Sequence, residues 1–131
     1  MTALPLFDWI EIPVEDLDRA ARFYSAILET DLEVAELQPG YRVAFLPVPG
    51  DTPAGPGGML VETEGFDPAG EQGCRVCFGA GADIDGFLMR VEESGGRISQ
   101  PKTQLGDGDS VAYLAWFYDT EGNLLGVHAP G

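Results

Sequence analysis

The sequence predicts an α+β fold built from two tandem βαβββ modules. Strand-like and helix-like segments follow one another in the same order in each half of the chain, and the two helix starts, DLDRAARFY from Asp16 and DIDGFLMRV from Asp83, can be aligned. The 131 residues, 44% of them hydrophobic, suffice for one domain with a substantial core. We therefore expect a single domain over residues 1–131, with module 1 at about 1–66 and module 2 at about 72–131.

In module 1, an alternating strand at 7–15 runs into an amphipathic helix at 16–29. The helix has an acidic start, and its apolar residues at helical spacing are Leu17, Ala20, Ala21, Phe23, Tyr24 and Ile27. Gly and Pro residues bound the apolar segments that follow the helix. They predict strands at 32–37, 41–48 and, after the loop 49–57, 58–63.

Module 2 repeats this order of elements. Residues 74–82 predict a strand and residues 83–96 a helix that ends at a Gly pair. The remaining strands are predicted at 97–99, 111–119 and 123–129. Aligning Asp83 with Asp16 places Val76 at the position equivalent to Trp9.

The acidic composition limits the partners of the protein. Seven basic residues against 22 acidic ones give a formal net charge of −15, which repels phosphate backbones and anionic membranes. The N-terminus lacks the pattern of a signal peptide, and the sequence has no apolar run long enough to span a bilayer. We therefore expect a cytoplasmic protein with neither a nucleic acid nor a membrane partner.

The only two cysteines stand in the motif CRVC, at Cys74 and Cys77. A reactive CxxC pair normally lies at a helix N-terminus, and a zinc site needs more Cys or His ligands than a chain with one His offers. Here the flanking residues predict a strand, in which residues three apart point to opposite faces. The pattern favours two small residues that are buried or half-buried.

The segments IPVEDLDRAARFY at 12–24 and FYDTEGNLLGVH at 117–128 resemble the vicinal oxygen chelate superfamily. This superfamily contains glyoxalase I, the bleomycin and fosfomycin resistance proteins and the extradiol dioxygenases. The resemblance spans essentially the whole chain and is closest to small bacterial glyoxalase-like proteins. It implies two sheets that curl into an incomplete eight-stranded barrel around a cavity, often completed by a second chain. We therefore expect a homodimer.

Metal-dependent members of the superfamily carry His, Gln or Glu at inward-facing strand positions, where these side chains bind a divalent ion. Carried onto this chain, three of the four donor positions fall on Trp9, Val76 and Gly126, none of which has a donor group. The fourth falls on Met59 or Val61, or on Glu62 if the strand shifts by one residue. The resemblance therefore implies a protein with no metal and no other cofactor.

Strand alternation places Phe7, Trp9, Glu11 and Pro13 on the inner face of the first strand. Together with the other strands, this predicts an aromatic-lined cavity that binds a small organic molecule. Its candidate lining residues are Trp9, Glu11, Phe45, Met59, Val76, Phe78, Trp116, Gly126 and His128. The same side chains could instead fill a collapsed core, and His128 could be an exposed residue at a strand end rather than a ligand-binding imidazole.

Two functional hypotheses follow from these residues. The first is a metal-free binding protein that sequesters or senses a small ligand, as bleomycin resistance proteins do without chemistry. The second is an enzyme, for which catalytic residues are not assigned. It would be a metal-dependent lyase or dioxygenase with Glu11, Glu62 and His128 as displaced ligands, or a metal-independent isomerase with Glu11 or His128 as the base. The preferred hypothesis is the binding protein.

Overall fold

The computed structural model describes residues 9–47 and 57–130. Module 1 consists of β1 (Trp9–Pro13), α1 (Leu17–Ile27), β2 (Val34–Gln38), β3 (Tyr41–Phe45) and β4 (Gly57–Thr63). Module 2 consists of β5 (Cys77–Gly79), α2 (Ile84–Glu93), β6 (Arg97–Leu105), β7 (Ala112–Tyr118) and β8 (Leu124–Pro130). The predicted α+β fold with two βαβββ modules is confirmed. Phe7 and most of the predicted loop at 49–57 lie outside the described residues.

The two modules have the same sheet topology. Each forms a four-stranded mixed sheet, in the order β1-β4-β3-β2 for module 1 and β5-β8-β7-β6 for module 2. The first strand of each module pairs in parallel with the last, and the other neighbours are antiparallel. Within the described residues no strand ladder joins the sheets, so they do not close into a barrel. No helix in the described part of the chain is long and apolar enough to cross a membrane.

Two strands of module 2 differ in length from their predictions. β6 runs from Arg97 to Leu105, well beyond the predicted 97–99, because it pairs with β7 through two irregularities of register. A short 3-10 turn at Gly108–Ser110 then leads into β7. β5 contains only Cys77–Gly79 of the predicted 74–82.

The main hydrophobic core lies on the helix side of both sheets. In β1, the alternation directs Ile10 and Ile12 towards α1, as predicted. The core cluster joins residues of both helices, such as Tyr24 and Phe87, with residues of both sheets. Burying each large apolar side chain contributes about 1.5–3 kcal/mol, so this shared core holds the modules together. The opposite faces of the sheets point away from the helices.

The turn at 119–123, between β7 and β8, is fastened to module 1 by buried polar groups. The Asp119 carboxylate accepts hydrogen bonds from the Tyr24 hydroxyl at 2.6 Å and from the Asn123 amide nitrogen at 3.0 Å. The same amide nitrogen donates to the Pro13 carbonyl at 2.9 Å. Burial raises the pKa of Asp119, although these hydrogen bonds oppose the shift. It also raises the pKa of Tyr24 well above its usual value.

Glu121 in this turn binds the N-terminus of α1. Its carboxylate accepts from the backbone nitrogens of Glu15 at 3.0 Å and Asp16 at 2.8 Å, and it pairs with Arg19 at 2.7 Å. Burial acts to raise the pKa of Glu121, but hydrogen bonds from Arg19 and the Asp16 backbone outweigh it and hold the pKa below its usual value. Module 2 therefore supplies part of the cap of the helix in module 1.

Candidate functional site

The module 1 face, defined as the side of its sheet that points away from α1, carries two exposed aromatic rings. Glu11 pairs with Met59 and Met59 with Phe45, so alternation puts these residues and Trp9 on one side. Trp9 is 47% exposed and Phe45 is 48% exposed, and their rings meet edge to face with centres 6.3 Å apart. The Trp9 indole nitrogen donates to the Glu11 carboxylate at 3.0 Å. The predicted alternation of β1 is confirmed here.

A second, small core lies on the module 1 face beside these rings. Val43, Met59 and Val61 are buried there, and Tyr41 and Phe66 pack against them. The predicted residue Met59 therefore shares the face of Trp9, but its own side chain is covered.

Glu62 lies on the opposite side of the sheet, against α1. Its carboxylate accepts from the Leu17 backbone nitrogen at 2.8 Å and pairs with Arg42 at 3.3 Å, which in turn pairs with Asp18 at 3.1 Å. The one-residue shift that would point Glu62 inward does not occur. Its carboxylate serves the helix N-terminus instead.

The prediction that Val76 and Phe78 point towards the inner face is wrong. Both pack against the main core, where the Phe78 ring lies 6.0 Å from Tyr24 and 6.4 Å from Phe87. Cys77 shares the side of Gly126, its pairing partner in β8. This side, which points away from α2, is the module 2 face.

An additional residue between β5 and α2 explains this difference. In module 1, one residue separates the core residue Val14 from the N-cap Asp16, whereas two separate the core residue Ala80 from the N-cap Asp83. The connection contains Gly81 in the left-handed region, with φ of 60°, which a glycine adopts without strain. The offset that aligns the helices therefore reverses the faces of the preceding strand.

The space above Gly126 is occupied by side chains of this chain. A Cβ atom at Gly126 would come within 2.7 Å of the Cys77 sulfur and 2.7 Å of the Trp116 ring. The glycine is needed because these groups lie directly on the strand. Burial raises the pKa of the Cys77 thiol, opposed by the charge of Arg75. Cys74 and Cys77 are both free and exposed, so the prediction that they are buried or half-buried is wrong.

Two arginines stack on aromatic rings at the module 2 face. The Arg75 guanidinium lies 4.8 Å from the centre of the Trp116 ring, and that of Arg97 lies 4.3 Å from the centre of the Tyr118 ring. The Tyr118 hydroxyl donates to the Glu71 carboxylate. Leu114, on the same side of β7 as Trp116, pairs with the exposed His128.

Three concavities in the described part of the chain lie away from the exposed aromatic rings. One of about 690 Å³ runs along α1 beside Arg22 and Leu32. Two others lie at the seam between the modules: one of about 110 Å³ is lined by Glu11 and Val76, and one of about 280 Å³ by Val76 and Phe78. None of the three contains Trp9, Phe45, Trp116 or His128 in its lining. In the part of a single chain that the structure describes, the two aromatic faces therefore lie outside these concavities.

Arg75 and Cys77 are residues next to Val76 that lie at the module 2 face and were not among the predicted site residues. Their signal is the alternation within 75–79 itself, which opposes Arg75 and Cys77 to Val76 and Phe78. Among the described residues, no group of three or more His, Cys, Asp or Glu side chains is arranged to hold a metal ion.

Comparisons with known proteins agree with this architecture. The family model described as the Glyoxalase/Bleomycin resistance protein/Dioxygenase superfamily matches residues 6–127. No functionally curated protein matches the sequence.

Solved structures with a similar fold include a glyoxalase/bleomycin resistance protein from Albidiferax ferrireducens T118, with a TM-score of 0.74 and 20% identity over 95% of this chain and 98% of that one. A glyoxylase/bleomycin resistance protein/dioxygenase domain from Frankia sp. EAN1pec has a TM-score of 0.69 and 19% identity over 99% and 94%. The fosfomycin resistance protein FosX from Listeria monocytogenes has a TM-score of 0.64 and 18% identity over 100% and 96%. With its fold and the matched family model, the chain belongs to the glyoxalase/bleomycin resistance protein/dioxygenase superfamily.

Proposed function

We propose that the protein binds a small organic molecule at its aromatic faces without a metal ion. The observation that carries this proposal is that side chains unsuited to metal binding lie at the positions where relatives have metal ligands. Trp9 occupies one of them, and the Cys77 sulfur and the Trp116 ring fill the space above Gly126. Aromatic side chains provide a large contact area for an organic ligand.

Trp9 is the central contact in this proposal. Its ring is about half exposed beside Phe45, whereas the neighbouring Ile12 is 3% exposed and belongs to the core. An exposed pair of large aromatic rings is unfavourable in water unless another molecule covers it. The ligand would therefore contact the Trp9 and Phe45 rings.

We also propose a homodimer in which two chains enclose the ligand. Among the described residues of one chain, neither aromatic face lines one of the three concavities, so a second chain could complete the cavity that the family resemblance implies. A two-fold dimer that places the module 1 face of one chain opposite the module 2 face of the other would create two equivalent cavities. Sedimentation at micromolar concentration is expected to give a dimer, and a monomer would contradict the proposal.

The free thiols of Cys74 and Cys77 agree with a cytoplasmic location, because exposed cysteines remain reduced there. We expect thiol alkylation in intact cells, followed by mass spectrometry, to label both residues. A disulfide in freshly prepared protein would argue against this location.

A thermal-shift screen of metabolites tests the binding function. A ligand at about 100 times its dissociation constant stabilises the folded protein by about 2.7 kcal/mol. Ligands that raise the melting temperature of the wild type are expected to have no such effect on Trp9→Ala. Met89→Ala is the matched control, because Met89 is an exposed apolar residue of α2. Equal shifts in both variants would show that the ligand binds elsewhere.

A further inference from the structure

We propose that the ligand is an organic anion whose carboxylate or phosphate group is bound by Arg75 on the module 2 face. This inference rests on the proposed binding function and specifies its ligand class. Its basis is an unpaired guanidinium group held beside the expected binding surface in a strongly acidic chain.

Arg75 is one of three basic residues, with Arg22 and Arg97, that make no ion pair among the described residues. The sequence contains seven Lys and Arg residues against 22 acidic ones. Arg19, Arg42, Arg90 and Lys102 all pair with carboxylates within 4.0 Å. Among the described residues, no carboxylate comes that close to Arg75. An arginine that lacks a carboxylate partner in such a chain can bind an anion from outside.

The position of Arg75 is fixed by the ring beneath it. Trp116 lies against the backbone of Gly126 and the sulfur of Cys77, so its ring has little freedom to move. The guanidinium group covers this ring at 4.8 Å, an arrangement stabilised by the attraction between a cation and the ring electrons. The absence of a side chain at Gly126 therefore also leaves room for the ring on which Arg75 stacks.

Stacking leaves the hydrogen-bond donors of Arg75 available. The N–H groups of a guanidinium lie in its plane, while the attraction to an aromatic ring uses the face of that plane. An arginine held in this way can still bind a carboxylate or a phosphate with two parallel hydrogen bonds. The preorganised group loses less conformational entropy on binding than a free side chain.

Arg97 is a second basic residue on the same face, but its charge is offset by a nearby carboxylate. It pairs across the strands with Tyr118, two residues along β7 from Trp116, a separation of roughly 7 Å. Glu71 is close by, since it accepts the Tyr118 hydroxyl, and its charge offsets that of Arg97. Arg75 is therefore the principal anion-binding group.

The module 1 face gives the ligand an orientation. It offers the Trp9 and Phe45 rings together with the Glu11 carboxylate, which repels anions. In the proposed dimer, the apolar part of the ligand contacts module 1 of one chain, and its anionic group contacts Arg75 of the other.

Titration of simple probes tests this inference. Isothermal titration calorimetry at low salt would compare benzoate, phenyl phosphate, inorganic phosphate and the neutral benzamide on the full chain. Arg75→Gln is expected to weaken binding of benzoate or phenyl phosphate at least about tenfold, the effect of losing a charged hydrogen-bonded pair. Arg75→Lys keeps the charge but not the paired donors, so an intermediate loss is expected.

Arg22→Gln is the matched control, because Arg22 is exposed on α1 and the change in net charge is the same. It is expected to leave benzoate binding unchanged within about twofold, the size of a long-range charge effect at a distant exposed site. Binding of benzamide as tight as that of benzoate, equal in wild type and Arg75→Gln, would overturn the anion preference while leaving the proposed binding site intact. Absence of binding by all four probes would also overturn it, whereas the metabolite screen judges the proposed function independently. Urea melts of Arg75→Gln establish that the variant is folded.

Discussion

The two modules share a backbone plan but present opposite chemistry on their open faces. The module 1 face combines the exposed Trp9 and Phe45 rings with the Glu11 carboxylate. The module 2 face carries Arg75 stacked on Trp116 and has a thiol at Cys77. The two modules therefore share the order of their strands but differ in the side chains of these faces. Two unlike faces suit a ligand with an apolar part and a charged part.

The two helices also differ in how their N-termini are capped. The N-cap Asp83 of α2 accepts a hydrogen bond from the Gly86 backbone nitrogen, and Lys102 of β6 pairs with Asp85 in the first turn. Among the described residues, however, no side chain of another element accepts a backbone N–H at this end. The N-terminus of α1 also receives the carboxylates of Glu62 and Glu121 from distant parts of the chain. Module 1 thus depends on module 2 for part of its helix cap, whereas α2 is capped locally.

The largest expected effect is a difference in stability between a substitution on the core side of β1 and one on its open side. Ile12→Ala is expected to lower the free energy of unfolding by about 2–5 kcal/mol, because it leaves a cavity among buried side chains. Trp9→Ala should cost clearly less, since its ring is 47% exposed. Urea melts of the two variants measure the contrast. A larger loss for Trp9→Ala would mean that the indole is part of a filled core, and the proposed site would be lost.

The second prediction breaks the cap that module 2 gives to module 1. Glu121→Ala should destabilise the protein by roughly 2–4 kcal/mol, because it leaves backbone N–H groups and Arg19 without their acceptor. Asp83→Ala, which removes the local cap of α2, should cost about 1 kcal/mol. Both melts are expected to show one transition, as predicted for a single domain. Equal losses, or separate transitions for the modules, would contradict this dependence.

The order of elements could be predicted from the sequence because each element depends on local information. Periodicity and the acidic helix starts at Asp16 and Asp83 were sufficient, and both side chains are observed as N-caps. The face of β1 was also predictable, since its alternation is long. In β5 the faces were assigned by aligning the two helices and not from the alternation of the strand itself. The additional residue near Gly81 makes that alignment invalid for the strand.

Long-range contacts were beyond what the sequence could predict. The predicted strands at 111–119 and 123–129 imply a short connection between them, but the hydrogen bond from the Asp16 backbone to Glu121 joins residues 105 positions apart. The stacking of Arg75 on Trp116 likewise depends on how β5, β7 and β8 assemble. Whether an aromatic residue lines a cavity or an open face depends on what packs against it. The periodicity of a strand carries no information about these packing partners.

The third prediction concerns the close packing on the module 2 face. Gly126→Ala should destabilise the protein by about 1–3 kcal/mol, because its Cβ would collide with the Cys77 sulfur and the Trp116 ring. Gly79→Ala is the matched control on the same face, since a Cβ there meets nothing within 4 Å. Similar stability of the two variants would show that Trp116 can move away from the strand, which would weaken the case for a fixed Arg75.

The fourth prediction tests the role of Glu121 through the pH dependence of the free energy of unfolding. The folded-state pKa of Glu121 is lowered from 4.5, so its stabilising contribution is present above that pH and is lost as pH falls through the folded-state value. Asp119 has the opposite sign: its pKa is raised from 3.8, so its protonation at acid pH favours the folded state. Urea melts between about pH 6 and about pH 3 should therefore show a smaller acid-induced loss for Glu121→Gln than for the wild type. An unchanged slope would contradict the assignment.

The smallest effect is expected from metal removal, which should change nothing. The donor position on module 1 holds Trp9, Glu62 is engaged by Leu17 and Arg42 on the other side of the sheet, and Cys77 covers Gly126. Burial raises the pKa of Cys77, which disfavours the thiolate that would bind a metal ion. Dialysis against a chelator should therefore leave the melting temperature and any ligand-induced shift unaltered, and elemental analysis of protein purified without chelator should find only substoichiometric metal. Stoichiometric zinc, nickel, manganese or iron would overturn the metal-free proposal and favour a metal-dependent lyase or dioxygenase.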